Sequence, residues 1–66
     1  MNFIRLTDLD NNLQLINADN IDAVYLSHYK GQVITKVGLH CGVYVAVKET
    51  VSQISLLLQD AGLVIK

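Results

Sequence analysis

The chain is 66 residues long, with 52% hydrophobic and 17% charged residues, a mean hydropathy of +0.36 and a formal net charge of −1. The charges are scattered rather than gathered into a basic stripe, which argues against generic DNA or RNA binding. No apolar run approaches the roughly 18–20 residues that a membrane span needs.

Phe3 to Thr7 alternates, with Phe3, Arg5 and Thr7 on one side and Ile4 and Leu6 on the other, and this period predicts a first strand. Asp8-Leu9-Asp10-Asn11-Asn12 is turn chemistry, because Asp and Asn tolerate left-handed backbone and bond their own main chain. A second strand is expected over Leu13 to Ile16, making a hairpin with the first. Asn17 to Asn20 is a polar break, read as one helical turn capped by Asn17. Ile21 to Tyr29 predicts a longer strand, with Ile21, Ala23, Tyr25 and Ser27 on one face and Asp22, Val24, Leu26 and His28 on the other. Lys30-Gly31 closes a hairpin into a strand over Gln32 to His40. Its faces are Val33, Thr35, Val37 and Leu39 against Ile34, Lys36, Gly38 and His40. Cys41-Gly42 marks the next reversal, with Gly42 free to take positive φ. Val43 to Lys48 is the last strand.

The period changes from 2 to 3.6 at Glu49-Thr50, so a helix opens there. Thr50 with Gln53 three residues on forms a capping-box pattern. Val51, Ile54, Leu57, Leu58 and Ala61 make an apolar stripe at helical spacing, Leu56 points away from it, and Gly62 suits the position after the helix end. Leu63-Val64-Ile65 is a further apolar run, expected to return to a sheet edge or to cross to another subunit. The fold class is therefore α+β: a small antiparallel β-meander of about five strands with one C-terminal helix packed on a face, in a single domain over residues 1–66.

A chain this short buries only about 60% of the surface its unfolded form exposes, and such chains lean on disulfides, a metal or a partner subunit. Cys41 is the single cysteine, so no internal disulfide can form. His28 and His40 are too far apart in hairpin register to share a metal, and no metal site is expected. Asp8 and Asp10 lack the glycine and glutamate of a calcium loop. Several strands are apolar on both faces, which an antiparallel sheet with one wet side would not be. Homo-oligomerisation is the expectation that remains, with Leu56, Leu63, Val64 and Ile65 as candidate interface residues. The segment Met-Asn-Phe-Ile-Arg lacks the basic and apolar blocks of a signal peptide, so a cytoplasmic location is expected, which a lone thiol suits.

No catalytic residue and no cofactor are expected. His40 and Cys41 are neighbours on an extended chain and point to opposite faces, a poor geometry for a thiolate–imidazole pair. There is no nucleophile elbow, phosphate-cradling glycine loop or zinc-protease pattern. The most suggestive cluster is Tyr25, His28, Tyr29 and Lys30, which Arg5, Lys36 and Tyr44 could join across a sheet or subunit boundary. Aromatic rings beside a cation can stack on a base and hold a phosphate or carboxylate.

Ile4-Arg5-Leu6-Thr7, Leu15 to Asp22, and Val43 to Val51 with its strand-to-helix joint Val47-Lys48-Glu49-Thr50-Val51 resemble the FlbD family of small bacterial flagellar proteins and the phage and prophage proteins grouped with it. Leu39-His40-Cys41-Gly42 stands where that family has a polar Asn-Gly or Thr-Gly turn, and the hairpin Ser27 to Gly31 is longer here. The resemblance implies a motility accessory role or a phage setting, and carries over no catalytic residue. The expectation is a non-catalytic binding protein, a homo-oligomer that holds a protein partner or a small anionic nucleotide-like ligand. In a phage setting it would sequester a host signalling molecule; the alternative is a flagellar accessory protein.

Overall fold

The structure, a computed structural model, describes residues 2–62. Its elements are β1 (Phe3–Thr7), β2 (Leu13–Asn17), a 3₁₀ turn (Ala18–Asn20), β3 (Ile21–Tyr29), β4 (Gln32–Leu39), β5 (Tyr44–Val47) and α1 (Val51–Asp60). All strand pairs are antiparallel, and they divide into a two-stranded sheet, β1-β2, and a three-stranded sheet, β3-β4-β5. The expected α+β architecture is present. The meander breaks into two sheets at the 3₁₀ turn, whose cap is the Asn17 side chain accepting from the Asp19 N–H at 3.0 Å.

Local chemistry sets the turns. Asp8 organises the β1–β2 turn: its Oδ1 accepts from the backbone N–H groups of Asp10 and Asn12, and its Oδ2 from the Gln14 amide, each at 2.9 Å. Asn11 takes the left-handed backbone there, at φ 66°. Lys30 and Gly31, at φ 50° and 77°, make the two-residue turn between β3 and β4, of the kind whose twist matches that of the flanking strands. The helix starts at the capping box. The Thr50 hydroxyl accepts from the Gln53 backbone N–H at 3.1 Å, and the Gln53 side-chain Oε1 accepts from the Thr50 backbone N–H at 2.8 Å.

The two sheets are joined at one seam. Asp8 bridges Val47 in antiparallel fashion. The Lys48 N–H donates to the Thr7 carbonyl at 2.8 Å, and the Glu49 carboxylate accepts the Thr7 N–H at 2.8 Å. Strands therefore follow one another β2-β1-β5-β4-β3 around a shared interior. That interior is Ile4, Leu6, Ile16 and Ala18 from the first hairpin and 3₁₀ turn, Val37 and Val47 from the second sheet, and Ile54 and Leu58 from α1. Full burial contributes about 1.5–3 kcal/mol for each large aliphatic side chain. Thr35 is the buried polar residue among the described residues, and no buried side-chain polar atom there lacks a partner.

The helix stripe is narrower than its spacing implies. Ile54 and Leu58 are buried, Leu57 and Ala61 pack partly against the core, and Val51 is exposed. Helical side chains lean towards the N-terminus, so Val51, the first helical residue, leans off the end of the core. Leu56 is exposed, on the side away from the stripe. Leu63, Val64 and Ile65 lie outside the described residues. No helix among the described residues is long and apolar enough to cross a membrane.

Candidate binding face

The three-stranded sheet has two faces, and period-2 alternation assigns each side chain to one of them. Register pairs Val24 with Val37 and Val37 with Val45, then Leu26 with Thr35 and Thr35 with Val47; these rows lie on the core side, where Val37, Thr35 and Val47 are buried while Leu26, at the β3 edge, is exposed. The other face carries the pairs Tyr25–Lys36, Lys36–Ala46 and Gly38–Tyr44. Tyr25 and Tyr44 are exposed on it, and Lys36, Gly38 and Ala46 are half-buried.

On this outer face two tyrosines flank a glycine. A side-chain carbon at Gly38 would lie 3.9 Å from the Tyr25 ring, so Tyr25 leans across β4 into the space that Gly38 leaves open. Tyr44 stands opposite Gly38 on β5. The Lys36 ammonium sits 4.1 Å from the centre of the Tyr44 ring, within the range of a cation–π contact. Lys36 is half-buried, whereas both rings are exposed. Among the described residues the one acid–base side-chain contact is Asp22–His40, so no carboxylate there neutralises Lys36. A half-buried ammonium without an acid, set between two phenol rings, is a place where an anion gains charge-assisted hydrogen bonds and a flat group gains a stacking surface.

The remaining sequence candidates fall in three places. Tyr29 lies on the same face as Tyr25, about 13 Å further along the strand at ordinary strand rise, with the Lys30 ammonium 5.3 Å from its ring. His28 projects from the opposite face of β3, beside Val33, and does not join the tyrosines. Arg5 is on the outer face of the other sheet, opposite Leu15. The Asp8–Val47 bridge runs β1 antiparallel to β5 and so carries Arg5 past the Lys48 end, away from Tyr44. Within one protomer the cluster is therefore Tyr25, Lys36 and Tyr44, with Tyr29 and Lys30 at its tip.

Two features escaped the sequence reading. Gly38 lay in the open: a glycine within a strand commonly marks a close approach. The Asp22–His40 contact needs the β3–β4 register, including the shift between Ile21 and Ala23 that makes Asp22 an extra residue. A separate open cleft of about 660 Å³ lies between the β3–β4 hairpin tip and the first turn, lined by Leu9, Leu26, Tyr29, Lys30, Val33 and Lys48 among others. Lys48 is engaged there by the Asn11 side-chain carbonyl. Among the described residues no three His, Cys, Asp or Glu side chains converge as metal ligands.

No protein-family model matches the chain, and no curated protein or solved structure matches it either.

Proposed function

We propose that this chain is a non-catalytic binding protein, active as a homo-oligomer, that holds a small anionic nucleotide-like ligand on the outer face of its three-stranded sheet. The observation that carries the reading is Lys36: half-buried, without an acidic partner among the described residues, and 4.1 Å from the Tyr44 ring. The ammonium would take the phosphate or carboxylate, and the Tyr25 ring over Gly38 would take the base. Base–aromatic stacking is worth about 1–3 kcal/mol per base, and a charge-assisted hydrogen bond about 1.5–3 kcal/mol. Together these support binding without any reaction.

Thermal-shift and calorimetric titrations with mononucleotides, cyclic nucleotides and ADP-ribose at low salt test it. A saturable stabilisation is expected, weakened in Lys36→Gln and in Tyr25→Ser. Because Lys36 and Tyr25 are not in the core, both variants should keep the parent circular dichroism spectrum. No shift with any compound overturns the nucleotide reading and leaves a protein as the partner.

A further inference from the structure

Among the described residues β3 is an edge strand of the second sheet, contacted from the core side by α1. Within the second sheet β3 pairs only with β4, and among the described residues no other strand takes its far side. Natural edge strands protect themselves with proline, lysine, bulges or shortness. Between Ala23 and Tyr29 this strand has no proline and no Asp, Glu, Lys or Arg. The register shift at Asp22 ends the regular stretch on one side, and the Lys30-Gly31 turn ends it on the other.

The direction of its free backbone groups follows from the turn. A two-residue turn makes its flanking residues, Tyr29 and Gln32, a hydrogen-bonded pair. Alternation then aims the main-chain groups of Ala23, Tyr25, Ser27 and Tyr29 at β4, and those of Val24, Leu26 and His28 at the open side.

The geometry points to a second copy of this chain as the occupant, its β3 antiparallel to the first and centred on Leu26. Leu26 is the midpoint of the regular stretch, so this alignment uses all of it in both copies. Val24 meets His28 of the second copy, Leu26 meets its own equivalent, and about six new main-chain hydrogen bonds form. Asp22, whose carboxylate also contacts His40 of its own chain, and Lys30 bracket the stretch with opposite signs, so each end of one strand lies against its complement in the other. A neutral, self-complementary strand with acid at one end and base at the other suits its own copy better than an unrelated chain.

The result is a six-stranded sheet running through the dimer. On its outer face Tyr25 stands opposite Ser27 of the second copy, with Tyr29 of that copy diagonally adjacent, within reach of an aromatic side chain. Two Tyr25–Lys36–Tyr44 faces thus merge into one surface. This last step rests on the nucleotide reading above; the strand pairing does not.

Cross-linking and light scattering test the pairing, separately from any ligand. Hydrogen-bonded antiparallel partners have Cα atoms about 5.5 Å apart, which suits a disulfide. In a Cys41→Ser background, Leu26→Cys should form a covalent dimer under mild oxidation. Val33→Cys, comparably exposed on β4, should not. Light scattering should give twice the 7.3 kDa chain mass or an even multiple of it. Leu26→Lys sets two ammonium groups together at the symmetry axis and should halve the observed mass. A monodisperse monomer at micromolar concentration, the outcome if another segment or another protein takes this edge, overturns the proposal. So does a cross-link at position 33 without one at position 26. If the dimer forms but no nucleotide shifts its melting, the pairing stands and the ligand reading falls.

Discussion

Asp8 shows how one side chain can shape a small fold. Its carboxylate accepts three hydrogen bonds at 2.9 Å, and the Asn12 N–H foremost, followed by the Gln14 amide, holds its pKa below the ordinary 3.8. A carboxyl group with a lowered folded pKa stabilises the fold above its unfolded value, and that stability drains away as pH falls through the lowered one. Asp8→Asn should therefore melt below the parent near neutral pH, and the gap should close as both are titrated from pH 5 into acid. Melting curves at fixed protein concentration measure it; a gap that stays constant down to low pH contradicts this account of the turn. Leu6 gives the opposite kind of test. It is completely buried at the centre of the core, so Leu6→Ala should cost about 2–5 kcal/mol. A core this size supplies only about 3–5 kcal/mol in total. Loss of near-ultraviolet signal and of cooperative melting is the expected outcome.

The elements separate what local sequence encodes from what it does not. Thr50 and Gln53 announced the helix start in the sequence, and both halves of the capping box are formed. Thr50→Ala should cost about 1 kcal/mol, seen as a lower denaturation midpoint with an unchanged slope in urea. Gly31, at φ 77° with nothing within 4 Å of where a β-carbon would stand, is constrained by conformation rather than space; Gly31→Val should destabilise the β3–β4 hairpin by about 1–2 kcal/mol. Turns, caps and strand faces were legible because a few neighbouring residues decide them. The seam that joins the two sheets was not. It depends on Thr7 meeting Glu49 across 42 positions, and no period records such a meeting. Glu49 reads in sequence only as the joint between strand and helix. The binding face was half legible: alternation already set His28 opposite Tyr25, whereas grouping by chemical type drew them together. Lys36 and Tyr44 belong beside Tyr25 through register, which fixes neighbours that composition cannot.

For the whole molecule the governing fact is exposed apolar surface. Phe3, Leu13 and Leu15 crowd the outer side of the first sheet, and Tyr25, Tyr29 and Tyr44 that of the second. A chain whose copies shelter one another is stabilised by mass action. Its melting temperature should rise with protein concentration across the micromolar range, and the rise should vanish in Leu26→Lys. A parent melting temperature that ignores concentration contradicts the oligomeric reading. The seam between Thr7 and Glu49 also has a bearing on synthesis. The β3–β4 hairpin has short-range contacts and can form as soon as it clears the ribosome, whereas pairings distant in sequence are slow to close. The first hairpin, made earliest, must wait with its inward leucine and isoleucines uncovered until Ile54 and Leu58 of α1, which complete the core, have been translated. For that interval the incomplete chain exposes apolar surface and unpaired strand edges that favour aggregation.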